Sequence, residues 1–551
     1  MSKTRKNRGN TYATHEVRLK SNSTTESKRE NKSALAALSQ KMVRLPLFVV
    51  LFVIVWAFLY FFYGDMVYVA EQRSFFSTSG VAMQFYSSQS LGCLYIIGRF
   101  LLLACKCPLA GTILIALMLT ASAWLFDLAF RLKGWWHALS LSLPFLYIFY
   151  LFYKGLNLVY LSELSWIMTI PLIAFTVCGL ISIIMRAVGK CKIIAPWRRI
   201  AVCSGRQSSF LFGWIVLLFM TSIVVAETYA KNDIVTAKME VSMFREDWDR
   251  MVEQANEAHH PTRTITGLRA LALNQTGRLA SELFNYPYQY PNAHLKRDAG
   301  LVDGGIDFIV IDCNFSAGLT RAAYHEAMEQ SVLEGPSIYR LKRMAQCAII
   351  NKENNLARKY LQILKTVPFE SEFVKKYEPM LDDYNFVTQD PWFASALELE
   401  PVNDSFEQNY REPLFLGYNI ALLEAKTIRG LYNSLFAALY SKDMKAFGQR
   451  IPTMLENKVM LPQVMEEAFV VENMKNLAAI KRFNISPYVL QTMKNFLSEC
   501  FSPESKALTP KEKAKRYAQY MGTYEYYYYF QNIPDENYVL DNENAKKGGV
   551  N

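Results

Sequence analysis

Three charged side chains stand close together where an apolar stretch ends: Asp65, Glu71 and Arg73, in Gly64-Asp65 and Glu71-Gln72-Arg73-Ser74-Phe75-Phe76. A carboxylate in that setting has the chemistry of a general base or a metal ligand. The plainer expectation is a polar loop over 64–90 in which Glu71 and Arg73 pair with neighbours, the usual fate of exposed charges. The other reactive residues form no constellation. His259-His260 precedes Pro261 and reads as a helix end or turn, with no further ligand at metal-site spacing. His325-Glu326 lacks the second histidine of a zinc-protease helix, and Asp312-Cys313 has no base beside it. No phosphate-binding loop, dinucleotide fingerprint or nucleophile elbow occurs. The nine cysteines are odd in number and widely spaced, and Cys105-Lys106-Cys107 has no second pair to complete a zinc site. They read as unpaired structural thiols, and no cofactor or metal is expected.

The elements that must position these residues begin with composition. A chain of 551 residues exceeds one ordinary core, so two or more units are expected. With 51% hydrophobic and 20% charged residues, most of it is too apolar to be disordered. Residues 1–44 carry a net +8, 45–230 carry +7 and 231–551 carry −4. The basic balance therefore belongs to the N-terminal tail and the apolar third. That argues against a nucleic-acid partner, which needs a basic face on a folded domain. Residues 1–44 read as a disordered basic cytoplasmic tail, too polar and long for the start of a signal peptide.

Residues 45–230 read as a transmembrane domain, because spanning helices need about 20 mostly apolar residues. Leu45–Tyr63, Leu109–Phe130, Ala138–Tyr153, Ser165–Met185 and Ser209–Ala226 qualify. Leu91–Lys106 is ambiguous. Arg99 at its middle costs about 2.5–3.5 kcal/mol, roughly what its apolar side chains recover. If it crosses, six basic residues between Arg186 and Arg206 fall outside with no acid among them. If it lies in the interface, with Arg99 at headgroup level, nineteen basic residues are inside against four outside. The positive-inside rule favours five spans plus one interfacial helix over six spans. The N-terminus is then cytoplasmic and the C-terminal domain periplasmic, in the inner membrane of a bacterium.

Residues 231–535 read as helical, with a recurring helix–turn–helix signature at 244–252, 274–284, 351–361 and 440–447. Phe308–Ile311 is a short apolar run that fits a strand without a partner. Segments 286–306 and 387–413 interrupt the pattern. Residues 517–530 are crowded with tyrosines; Tyr526, Tyr527, Tyr528 and Tyr529 read either as an aromatic surface at the membrane interface or as a cap on the last hairpin. Residues 536–551 read as a disordered tail. The hairpins resemble degenerate tetratricopeptide units with irregular spacing. The fold class is therefore all-α: a transmembrane bundle followed by an irregular tetratricopeptide-like α-solenoid.

The acids after the first span, followed by an interfacial helix, resemble the layout of polytopic glycosyltransferases that use lipid-linked sugars. Four segments carry a closer resemblance, to an uncharacterised bacterial family of multi-pass membrane proteins. They are Tyr63-Gly64-Asp65, Glu71–Phe76, Tyr339-x-Leu341-Lys342-Arg343-Met344 with Cys347, and Thr523–Phe530. That family implies no activity. The expected function is a membrane-anchored helical scaffold or interaction protein of the cell envelope, with the bilayer and a protein or peptide as partners. A glycosyltransferase-like enzyme with Asp65, Glu71 and Arg73 as catalytic candidates is the alternative, and a transporter the second.

Overall fold

The computed structural model describes residues 46–531 apart from 89–90, 131, 133, 160–163, 189–204, 259–260, 289–305, 403–423, 441, 457–459 and 484. The tails expected at 1–44 and 536–551, His259-His260, and the basic residues from Lys190 to Arg199 lie outside the described residues. Within them the regular structure is helical, apart from an isolated bridge between Pro401 and Ala425. First come α1 (Pro46–Arg73), α2 (Gly80–Ser88) and α3 (Gly92–Leu102). Then follow α4 (Pro108–Phe130), α5 (His137–Lys154), α6 (Trp166–Val188) and α7 (Gly205–Thr228). Five of these, α1 and α4 to α7, are long and apolar enough to cross a membrane. They coincide with the five expected spans. Segment 91–106 is not among them: α3 has 11 residues, about 16 Å by helical rise, and tightens into a 3-10 turn at Leu103–Lys106.

The first helix corrects one expectation. Residues 64–73 are not loop but the last turns of α1, and 80–88 form α2. A 28-residue helix is about 42 Å long, more than a hydrocarbon core of about 30 Å. Its last turns are held by burial of Met66, Val67, Val69 and Ala70.

Two compact units emerge. The first comprises residues up to 61, 112–153 and 170–225; the second comprises 62–111, 154–169 and 226 onward. In the first unit, Phe58 meets Phe152 and Phe219 edge-on, and the Trp214 indole donates to Ser142 Oγ at 3.0 Å. Asp127, near the end of α4, pairs with His137 at the start of α5 at 2.5 Å, both buried.

The second unit continues with α8 (Lys231–Phe244), α9 (Trp248–Ala255), α10 (Arg263–Gln275) and α11 (Leu279–Glu282). After these come α12 (Ile306–Ser316), α13 (Thr320–Glu334), α14 (Ile338–Ile350) and α15 (Asn354–Lys365). Next are α16 (Ser371–Tyr377), α17 (Asn385–Gln389), α18 (Pro391–Leu399), α19 (Ile428–Tyr440) and α20 (Met444–Glu456). The last are α21 (Gln463–Glu472), α22 (Leu477–Arg482), α23 (Pro487–Cys500), α24 (Pro510–Arg516) and α25 (Tyr524–Phe530). Phe308–Ile311, expected as a strand, lies within α12. A short apolar run has no period that separates strand from helix, and here the helical neighbours decide.

One turn closes five helical hairpins. Glu246, Gly277, Gly318, Lys352 and Lys442 all have positive φ. The residue after each donates its N–H to the carbonyl five positions back: Asp247 to Ser242, Arg278 to Leu273, Leu319 to Asn314, Glu353 to Ala348 and Asp443 to Ala438. This is the Schellman arrangement, which satisfies carbonyls a helix end leaves orphaned. Four of the five sit at the expected turns; the fifth, at Gly318, follows the misread run. Each hairpin packs on chain neighbours: α8 on α9 and α10, α10 on α12, α12 on α13, α13 on α14, α14 on α15, and, later in the chain, α19 on α18 and α20, and α20 on α21.

Candidate functional site

The residues with the most unusual environment gather around α14. Ser337 caps this helix, its Oγ accepting from the Arg340 N–H. From Ile338 to Ile350 every side chain except Lys342 is buried. Yet the helix carries Arg340, Lys342 and Arg343, and a buried cation must find an anion or several carbonyls. All three do. Arg340 donates to the carbonyls of Gln330 and Gly335 at 3.1 Å and pairs with Glu334. Arg343 pairs with Asp312 of α12, itself fully buried, and donates to Gln346 Oε1 at 2.8 Å. Its guanidinium lies against the rings of Phe315 and Trp392, 4.4 and 4.3 Å from their centroids, where the two rings meet edge-on. The Tyr339 hydroxyl donates to the other Asp312 oxygen at 2.6 Å. Burial beside that carboxylate drives the Tyr339 phenol well above its usual range, so it stays a donor.

The segment 71–77 runs against this helix and is buried throughout. The Ile338 N–H donates to the Ser74 carbonyl at 2.8 Å. Arg73 pairs with Glu240 of α8 at 3.1 Å, both almost fully buried, and its guanidinium lies 5.0 Å over the Tyr339 ring. Burial pushes the Glu240 carboxyl up, opposed by Arg73.

Beside them lies a second cluster. Glu370, at the N-terminal end of α16, bridges Lys106 and Lys342, with Lys342 Nζ at 2.6 Å. Gln72 donates to Glu71 Oε2 at 2.6 Å and accepts from Lys342 at 2.8 Å. Burial alone would raise Glu370, but Lys342 and Lys106 outweigh it and hold the carboxyl below the ordinary glutamate range. Burial draws Lys342 downward even so. Lys106 is the more exposed of the two, and the attraction of Glu370 and Glu71 raises it. Glu71 Oε1 is buried and makes no hydrogen bond.

The three catalytic candidates do not converge. Helical geometry turns about 100° per residue, so Asp65 and Glu71 lie about 120° apart on α1, and Glu71 and Arg73 nearly opposite. Glu71 faces the Lys106–Glu370–Lys342 cluster and Arg73 faces Glu240. The half-buried Asp65 lies in the field of Lys238, Arg245 and Arg250. Among the described residues no group of three His, Cys, Asp or Glu could hold a metal. Arg99, expected at headgroup level, is buried at 1% exposure. It donates to Ser165, Ser74 and Tyr95 at 3.2, 3.0 and 2.9 Å. Gly98 beside it permits this close approach, because a Cβ there would lie 2.8 Å from the Ser165 carbonyl oxygen.

Tyr526 and Tyr527 are buried in α25, where Tyr527 stacks on Tyr440, meets Tyr288 edge-on and is tilted against Phe284. Tyr528 and Tyr529 are half-buried. Sequence reasoning missed Glu240, Asp312 as an ion-pair partner, Glu370 and the three cations of α14. The segment Ile338–Ile350 carries those cations as an ordinary amphipathic helix does, and only its burial on almost every side singles them out.

A model of a family of unknown function (DUF6057) matches residues 39–244 and 230–531. No curated protein and no solved structure matches the chain.

Proposed function

We propose a scaffold role for this chain, which belongs to the family of unknown function DUF6057 whose model covers most of its length. In this reading the hairpins stack as an irregular tetratricopeptide-like α-solenoid that presents a surface to a protein or peptide. The helices between residues 46 and 228 anchor it in the inner membrane of a bacterium. The N-terminus is cytoplasmic and the solenoid periplasmic. The observation that carries the reading is the repeated hairpin: five pairs closed by one turn and packed on their chain neighbours. Such stacks bind through extended faces. Ile363, Phe369 and Phe386 are exposed apolar residues on one stretch of chain, of the kind that anchors a partner. Photo-crosslinking residues at 363, 369 and 386 of the full chain, expressed in its own cell, should each trap one and the same protein. No crosslinked species at any of the three overturns the scaffold. Alkaline phosphatase fusions after residues 230 and 134 test the side: active after 230 and inactive after 134 supports a periplasmic domain.

One observation favours the enzyme reading. Glu71 keeps an unbonded carboxylate oxygen next to Lys106, at the end of the first apolar helix. A Glu71→Gln chain that keeps its melting temperature but fails to complement a deletion would turn the argument toward chemistry on a lipid-linked substrate.

A further inference from the structure

The stretch from Ser74 to Gly98 is 25 residues without Asp, Glu, Lys, Arg or His, yet it lies outside the five apolar helices. It leaves large apolar side chains uncovered. On α2, Val81 and Phe85 stand one turn apart and exposed, Val81 at 82%. On α3 the exposed stripe is Cys93, Ile97 and Phe100, at helical spacing, while Gly98, Arg99 and Leu102 face inward. Leu91 between them is also exposed.

The end of α13 joins this surface. A Cβ built on Gly335, just after α13, would lie 3.5 Å from the Phe85 ring. Along one face of α13 the exposed residues run Arg321, His325, Met328 and Val332, changing from polar to apolar toward the end beside α2. Leu333 lies about 100° round the helix from Val332, and the exposed Glu334, paired with Arg340, about 200° round. Val332 and Leu333 are exposed at 77% and 76%. A contiguous apolar patch on a protein surface marks an interaction site, and a polar-to-apolar gradient along one helix face marks the direction in which water gives way.

What covers the patch is indicated by its place in the chain. It lies between α1 and α4, so both ends of the stretch lead directly into apolar helices. The 3-10 turn at Leu103–Lys106 delivers the chain to Pro108, where α4 starts. About 20 residues of α1 span the hydrocarbon, which leaves Arg73 roughly 12 Å beyond its edge by helical rise. The headgroup layer adds about 5–8 Å on each side, so an upright α1 ends just outside it, and α2 and α3 lie on the return path from Arg73 through that layer to Pro108, where α4 starts. We infer that α2, α3 and the tip of α13 form one lipid-facing platform, which sets the hairpin region against the outer leaflet through apolar insertion rather than through charge. The inference rests on the membrane reading above, and extends it from the spans to residues of the hairpin region.

The test uses the full chain in nanodiscs, with Cys93 and Cys107 replaced by serine and a single environment-sensitive fluorophore at residue 81, 85 or 332. Met460 and Tyr488, exposed residues of the same unit, serve as control positions. Labels at 81, 85 and 332 should emit at shorter wavelength than the controls, be quenched by doxyl-lipids and be shielded from aqueous iodide. Iodide quenching equal to that of the controls overturns the platform. So does a blue shift without lipid quenching, which would assign the patch to a second copy or another protein. Carbonate extraction of the same variants separates the two claims: a chain that stays in the membrane but shows iodide-accessible labels refutes the platform and leaves the anchor intact.

Discussion

Replacing Arg343 by methionine isolates one fully buried ion pair of the second unit, Arg343 with Asp312. Methionine keeps much of the apolar contact with Phe315 and Trp392 but removes the charge that lies against them. Asp312, fully buried, then keeps the Tyr339 hydroxyl as its remaining hydrogen-bond donor. Stranding one member of a buried ion pair costs about 3–5 kcal/mol, and each lost cation–π contact about 0.5–2 kcal/mol. A loss of about 4–9 kcal/mol follows. Unfolding entropy near 2.1 cal/mol/K per residue over about 300 residues converts this to roughly 6–14 °C of melting temperature. The assay is tryptophan fluorescence on heating the full chain in detergent, with Arg343→Met, Asp312→Leu and the double variant side by side. Each single variant should melt well below the parent. The double variant should lose far less than the two singles together, by roughly 2–4 kcal/mol, because a matched apolar pair leaves no orphan charge. Additive losses, or an Arg343→Met chain melting within about 2 °C of the parent, would refute the claim that this pair holds α12 to α14.

Glu525, fully buried, is pushed up to about 8 by burial and by Glu467, which outweigh the opposing pull of its own backbone N–H and the Thr523 hydroxyl. Its folded form thus binds a proton more tightly than the unfolded chain does, so stability falls as pH rises from about 4.5 to about 8. The whole window amounts to roughly 4–5 kcal/mol, and Glu525→Gln should flatten that part of a melting-temperature profile. Lys442 acts in the opposite sense: burial lowers it to about 7, so the destabilisation from its charge is full below pH 7 and disappears as pH rises toward 10.5. The melting temperature of the parent should therefore gain on that of Lys442→Met between pH 7 and 10. Two glycines at the same turn position should differ. At Gly277, with φ +70 and open space around it, alanine costs about 1–2 kcal/mol of left-handed strain. At Gly318 a Cβ would also lie 2.5 Å from the Glu400 backbone nitrogen, so Gly318→Ala should lower the melting temperature at least twice as far.

Local features were legible because local physics decides them. The apolar helices follow from length and hydropathy, and four of the five hairpin turns from polar breaks between helical stripes. The fifth was lost at Phe308–Ile311, where the run was too short for any period to choose between strand and helix. The end of α1 was lost for a related reason. Gly64-Asp65 reads as a turn, and only burial against residues far along the chain keeps it helical. Glu240 lies 167 residues beyond Arg73, and Glu370 lies 264 beyond Lys106; no spacing rule reaches across such separations.

What burial fixes is the demand rather than the partner that meets it. A helix buried on almost every side cannot leave Arg340, Lys342 and Arg343 unsatisfied, so the burial of α14 demands anions that its amphipathic sequence does not name. The same demand applies to Glu71–Arg73 at the end of an apolar helix. The structure brings these two anomalies together: Gln72 meets Lys342, Arg73 overlies Tyr339, and Ser74 accepts from Ile338. Their joint burial implies that substitutions in either should act first on folding. An effect on activity is evidence of chemistry only in a variant, such as Glu71→Gln, whose melting temperature is unchanged.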